Sequence, residues 1–178
     1  VQVLTPMNRG VLGARSLNLE LQQRLNPDRG GGIQRFGSTF AAGDKVIQTV
    51  NDYDKEVFNG DIGIIRSVDP GGGRLEIEFD GRLVPYDAGE LDSIALAYAI
   101  TIHKSQGSEY PAVVMPVSTQ HFVMLQRNLL YTGLTRGRKL VVLIGQTRAM
   151  ATAVGVANKV ERLTALRHRL SSERPESI

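Results

Sequence analysis

Thr101, His103, Lys104, Ser105, Gln106, Gly107, Ser108 and Glu109 crowd eight small or polar residues into nine positions, directly before an apolar run, Ala112 to Pro116. A loop that leads into a strand of an α/β sheet can offer side chains and backbone N–H groups to an anion. Gly107 would allow close backbone approach or a positive φ. A plain polar surface loop turning at Gly107 has the same composition. A second cluster is Thr135-Arg136-Gly137-Arg138-Lys139. An arginine between small residues at a helix end can reach a phosphate, and its planar fork of donors suits the charge of a transferring phosphoryl group. The same three cations could instead complement the negative end of a preceding helix, which stabilises it by at most about 1 kcal/mol.

The elements around these clusters follow from periodicity. Val1 to Thr5 is a short apolar strand stopped by Pro6. Gly10 to Leu25 carries an imperfect helical pattern of Leu and Val, ended by Asn26-Pro27. Phe36 to Ala42 is irregular, with room for short extended pieces. Lys45 to Val50 and Ile62 to Val68 are strands. Leu75, Ile77 and Phe79 alternate with acidic residues, the period of a half-buried strand. Asp80-Gly81 is a hairpin signal that returns the chain along Arg82 to Tyr86. Short strands and tight turns over this stretch predict a small SH3-like barrel. Ile94 to Ala99 fits a strand or a short helix. Ala112 to Pro116 and Leu140 to Ile144 read as buried strands, Gln120 to Thr132 and Thr147 to Val154 as helices, and Val156 to Leu170 as an amphipathic helix. Strand–helix alternation on both sides of the β-rich stretch predicts a parallel sheet flanked by helices and interrupted by the barrel.

Composition narrows the function classes. The 178 residues can hold one ordinary domain, or one domain carrying a small insert. No apolar run approaches the roughly 20 residues that span a bilayer. There is no Cys, which excludes disulfides and thiolate metal sites and fits a reducing, cytoplasmic setting. Three scattered His make no zinc set. The opening VQVLTP reads as a core strand entered partway, as in a piece of a longer protein. Charge is uneven: residues 1–42 hold five Arg against two carboxylates, residues 43–92 five cations against twelve carboxylates, and residues 93–178 eleven cations against four. An acidic module set in a basic core is the expectation, and the basic parts favour a polyanion.

The stretches AITIHKSQGSEYPAVVMP and RNLLYTGLTRGRKLVVLIG resemble motifs V and VI of superfamily 1 helicases, most like the RecD/TraA branch. The segment VLTPMNRG is similar to the motif IV region of that branch, and KEVFNGDIGII with IEFDGRLVPY resembles its SH3-like insert, domain 2B. The resemblance implies a RecA-like domain 2A in two parts, 1–54 and 93–178, around an insert at 55–92. It implies that Thr101, His103, Lys104 and Ser105 contact the backbone of single-stranded DNA, that Gly107 and Glu109 lie near ATP with Glu109 reaching the ribose, and that Arg136 is an arginine finger. Arg138 and Lys139 are further phosphate or DNA candidates. Arg9 would approach the nucleotide, though a solvent-facing arginine after a strand looks the same. In relatives the insert helps engage single-stranded DNA. Here Tyr53, Phe58 and Tyr86 could stack on bases, with core packing the expected use.

No G-x-x-x-x-G-K-[ST] occurs in the chain, and no apolar run ends in paired Asp-Glu. Phosphoryl transfer needs a phosphate cradle and a carboxylate that holds Mg²⁺. The resemblance therefore implies that an N-terminal RecA-like domain supplies both, and that ATP with Mg²⁺ binds between that domain and this chain. It implies a 5′→3′ DNA helicase, inactive as this piece alone, with companion subunits of a nuclease–helicase complex as further partners. A nonenzymatic nucleic-acid-binding or adaptor module built on the SH3-like unit is the alternative.

Overall fold

The computed structural model describes residues 1–28, 30–35, 37–124 and 126–155. Along the chain these form β1 (Gln2–Thr5), α1 (Ala14–Leu25), β2 (Ile33–Arg35), β3 (Ser38–Phe40), β4 (Lys45–Gln48), β5 (Ile62–Asp69), β6 (Arg74–Phe79), β7 (Arg82–Asp87), β8 (Ile94–Leu96), β9 (Ala99–Thr101), β10 (Tyr110–Val117), α2 (Arg127–Leu134), β11 (Gly137–Gly145) and α3 (Thr147–Gly155). A 3₁₀ turn, Ala88–Ser93, joins β7 to β8, and another, Thr119–Met124, follows β10. The amphipathic stretch read at Val156 to Leu170 lies outside the described residues. Among those residues no helix is long and apolar enough to cross a membrane.

Four parallel strands form one sheet in the order β11-β10-β1-β9. Five antiparallel strands form a second sheet in the order β7-β6-β5-β4-β8, and β2 and β3 pair as a separate two-stranded hairpin. The antiparallel unit thus draws in β4 and β8, on either side of the 55–92 stretch. Strand alternation explains how β4 can serve both layers. Val46 points into the antiparallel core with Ile65, Leu75, Ile77 and Tyr86, while its neighbour Ile47 joins Leu4, Ile100, Val113 and Met115 in the parallel core.

The helical pattern of Gly10 to Leu25 is realised with an unexpected inner face. Ala14, Asn18 and Gln22 are buried, whereas Leu19 and Leu25 stay exposed. Hydrogen bonds decide this. The Asn18 amide donates to the carbonyls of Leu96 and Ala99 and accepts from Ala99 N–H at 2.8 Å. Gln22 donates to the Thr39 carbonyl and to Asp44. Asp44, fully buried, also accepts from Asn26, the Ala41 N–H and the Tyr98 hydroxyl. A polar network therefore clamps α1 to both sheets.

Two further expectations are corrected. The helix read over Gln120 to Thr132 is a 3₁₀ turn followed by α2, because Gln126 is extended at φ −121° and ψ 144°. The strand Leu140 to Ile144 is not buried. It is the sheet edge, and Leu140 and Ile144 are more than half exposed because no described element covers that face. Its other face, with Val141 and Leu143, packs on the core beneath α2.

Candidate functional site

Parallel topology sorts the predicted residues into two groups at opposite ends of the sheet. Thr5 pairs with Thr101 at the C-terminal ends of β1 and β9. The Thr5 hydroxyl donates to the Leu12 carbonyl at 2.6 Å and shapes the loop that carries Arg9. Arg9 is exposed there. Past Thr101 the chain winds through tight turns. Lys104 N–H donates to the Thr101 hydroxyl, Ser105 N–H to the Thr101 carbonyl and Gln106 N–H to the His103 carbonyl. His103 and Lys104 stand exposed at the tip. Ser105, expected to face DNA, points inward: it is fully buried and its hydroxyl donates to the Ile102 carbonyl at 2.7 Å. It fixes the turn instead.

A cleft of about 900 Å³ opens between α1, this end of the parallel sheet and the antiparallel unit. Asn8, Arg15, Arg35, Thr49, Thr101 and Lys104 are among its lining residues. Sequence reasoning missed Asn8, Arg15 and Arg35. Arg15 follows the helix start with nothing local to mark it, and Arg35 falls in β2, just before the stretch Phe36 to Ala42 that was read as irregular with short extended pieces.

The second group forms at the N-terminal ends of β10 and β11. Gly107 adopts φ +85°, the left-handed conformation anticipated for it, and lets the loop close onto Ser108. Tyr110 pairs with Gly137, and Tyr110 N–H donates to the Arg136 carbonyl at 2.8 Å. Arg136 folds over this junction. Its Nε donates to the Thr132 carbonyl, its Nη1 to the Ser108 carbonyl and its Nη2 to the Thr135 hydroxyl, at 3.1–3.2 Å. Of five guanidinium N–H groups two stay uncommitted among the described residues. Arg138 Nε donates to Glu109 at 2.6 Å. That bond, the nearby Arg138 charge and a weaker contribution from Arg136 hold the Glu109 carboxyl below its ordinary range. Gly133 packs closely: a Cβ there would lie 2.7 Å from the tip of the Met115 side chain, which would have to shift for α2 to keep its seat.

Arg9 is not brought to Glu109 or Arg136. Gln2 pairs with Val113, which sets Thr5 opposite the far end of β10 from Glu109, roughly 20 Å away at about 3.3 Å per residue. Arg9 belongs to the Thr101 end.

Among the described residues no three His, Asp or Glu side chains gather as a metal site. The N-terminal end does offer uncommitted guanidinium donors and an exposed carboxylate, a donor set that fits a nucleotide's phosphate and ribose.

Comparison with known proteins identifies the family. A family model described as the ATP-dependent RecD-like DNA helicase SH3 domain matches residues 17–79, and one described as the UvrD-like helicase C-terminal domain matches residues 96–144. The chain is 41% identical to the ATP-dependent RecD2 DNA helicase of Deinococcus radiodurans over 96% of its own length and 23% of that protein. It is 35% identical to the RecBCD enzyme subunit RecD of Mycobacterium tuberculosis, over 92% of its length and 27% of that subunit. Among solved structures, a Bacteroides Pif1 helicase in complex with ADP-AlF3 and ssDNA superposes with a TM-score of 0.63 at 16% identity, covering 97% of this chain and 46% of that one. That likeness shows the fold, a RecA-like sheet beside the smaller β unit. The SH3 match over 17–79, the UvrD-like C-terminal match over 96–144 and the similarity to RecD2 along 96% of this chain agree, so the chain belongs to the RecD-like helicase family and is a C-terminal portion of such a helicase.

Proposed function

We propose that this chain is the C-terminal motor half of an ATP-dependent DNA helicase of 5′→3′ polarity, working with an N-terminal RecA-like domain. The observation that carries the reading is the separation of the two groups. Arg136, Glu109 and Gly107 gather at one end of the parallel sheet, and Thr101, His103, Lys104 and Arg9 at the other. Nucleotide binding and strand binding can then be coupled through one rigid sheet.

In this reading ATP with Mg²⁺ binds at the N-terminal end, where it supplies the phosphoryl group whose transfer drives movement. Glu109 accepts from the ribose hydroxyls, and the free N–H groups of Arg136 stabilise charge on the γ-phosphoryl group. The partner domain holds the metal and the phosphate cradle. Single-stranded DNA runs along the cleft lined by Thr101, Lys104 and Arg15, with Arg9 assigned to this strand-facing group. Companion subunits and a cytoplasmic setting complete the reading.

The test is steady-state phosphate release with single-stranded DNA present. The isolated chain should match buffer, and the parent protein should turn over. Turnover by the pure chain that is abolished in Arg136→Ala would overturn the half-motor reading.

A further inference from the structure

We propose that the exposed Tyr53–Phe58 pair on the antiparallel unit is a docking surface for a basic protein segment, with a Lys or Arg side chain held between the rings and the flanking carboxylates. This goes beyond the motor reading and does not depend on it.

Tyr53 is 75% exposed and Phe58 45% exposed, whereas Tyr86, the third aromatic considered for stacking, is fully buried. The two exposed rings meet edge to face with centroids 6.0 Å apart. They sit on a loop that is built to stay in place. Asp52 and Val57 exchange both backbone hydrogen bonds, Asp52 caps the Lys55 N–H, Asp61 accepts from the Phe58 N–H, and Asn51 accepts from the Asn59 N–H. Glu56 is held at φ +52°, an uncommon conformation for a residue with a side chain, and Arg82 Nη2 donates to its carbonyl at 2.7 Å. A loop this constrained presents its two rings with little ordering cost left to a partner.

Charge selects the partner. Asp52, Asp54, Glu56 and Asp61 lie on the same loop as the rings, in the stretch that carries twelve carboxylates against five cations, with Asp52 and Asp61 accepting loop N–H groups and Glu56 paired with Arg82. Asp54 makes no hydrogen bond or ion pair among the described residues. This field repels phosphate, so stacking on nucleic acid is disfavoured. A cation gains twice, from the ring faces and from the carboxylates. The same unit already shows the combination internally: Lys55 Nζ lies 4.2 Å from the Tyr86 ring centroid while pairing with the Glu90 carboxylate. Around Tyr53 the nearby cations are already engaged, Lys55 with Glu90 and Arg82 with Glu56, and no cation is recorded over the Tyr53 ring among the described residues.

The probes are fluorescein-labelled octa-arginine, a neutral Gly-Ser octapeptide and a dT15 oligonucleotide, titrated by anisotropy into the full chain. Octa-arginine should bind and the neutral peptide should not. Tyr53→Ala and Phe58→Ala should each weaken octa-arginine at least tenfold without changing the melting temperature, and Tyr53→Leu should weaken it as much as Tyr53→Ala. In the wild type, ring resonances of Tyr53 and Phe58 should shift on titration. Unchanged peptide affinity in both alanine variants would overturn the proposal and reduce the binding to diffuse charge. A tenfold loss of dT15 affinity in those variants would overturn it in favour of base stacking.

Discussion

The Arg136 guanidinium donates through Nη1 to the Ser108 carbonyl at 3.1 Å, tying the end of α2 to the loop that ends at Glu109. The two polar clusters most conspicuous in the sequence are thus one structural junction. Arg136 serves it through backbone carbonyls and keeps two N–H groups for something else.

Removing that side chain should separate two roles. In the parent protein, Arg136→Ala should lower ATP turnover by roughly 10³-fold or more, as arginine fingers do elsewhere, with nucleotide affinity little changed. Arg136→Lys should rescue poorly, since a point charge cannot replace the fork. Loss of the partly exposed bonds to Ser108 and Thr132 should cost about 1 kcal/mol of stability. Turnover and nucleotide affinity measured together decide it, and normal hydrolysis by Arg136→Ala would eliminate the finger.

Glu109 is engaged by Arg138 in the free chain and is assigned to ribose in the motor, so one carboxylate has two claimants. Its carboxyl sits below the ordinary value of 4.5 chiefly because of the Arg138 hydrogen bond. Arg138→Ala should move its titration upward, read by carboxyl NMR across pH 2–6. In the parent, Glu109→Gln should weaken ATP while Arg138→Ala should not. No movement of the titration in Arg138→Ala would break the pairing.

Single-stranded DNA should bind the isolated chain weakly, with dissociation constants on the order of 10⁻⁴ to 10⁻⁶ M, and more weakly as salt rises. Lys104→Ala and Arg15→Ala should each lower the slope of log affinity against log salt by about one. An anisotropy series over salt reads this directly. Affinity indifferent to salt would sink the cleft as the strand path.

The α1 clamp predicts an unusual sensitivity. Asp44 accepts from Gln22, Asn26, Tyr98 and the Ala41 N–H in a buried setting. Asp44→Ala removes the acceptor those four donors share and should cost about 3 kcal/mol. Asn18→Leu, which a hydrophobic-pattern argument would favour, should destabilise rather than stabilise. Urea unfolding of both variants is the check.

What was legible in the sequence was what local pattern controls. The alternation Leu75, Ile77, Phe79 gave β6, the turn at Asp80-Gly81 placed β7, and the fused polar–apolar stretches located the Glu109 and Arg136 junction. What escaped depended on tertiary partners. Asn18 and Gln22 were buried by distant carbonyls, which no helical moment records. Ser105 belongs to a polar run, but its turn aims the hydroxyl inward. Arg9 follows the C-terminal end of β1, and only the parallel register with β10 shows that this end lies away from Glu109.

His121 gives the last prediction. It lies in the turn after β10, only 2% exposed, and both ring nitrogens are buried without a hydrogen-bond partner among the described residues. Burial holds its pKa below the ordinary 6.5. The folded state therefore prefers neutral imidazole. Above pH 6.5 folded and unfolded states are both neutral at this group and stability is at its full value. As pH falls through 6.5 the unfolded chain takes up the proton first, so stability is lost until pH reaches the depressed folded value. His121→Phe removes this linkage and keeps an aromatic in the site. The fall in melting temperature between pH 7.5 and pH 5.5 should be smaller in His121→Phe than in the wild type. At pH 7.5 the variant should be at least as stable, because two unpaired buried polar atoms are gone. An equal fall in both proteins would show that His121 is solvated or paired in solution and would remove it as a source of acid sensitivity.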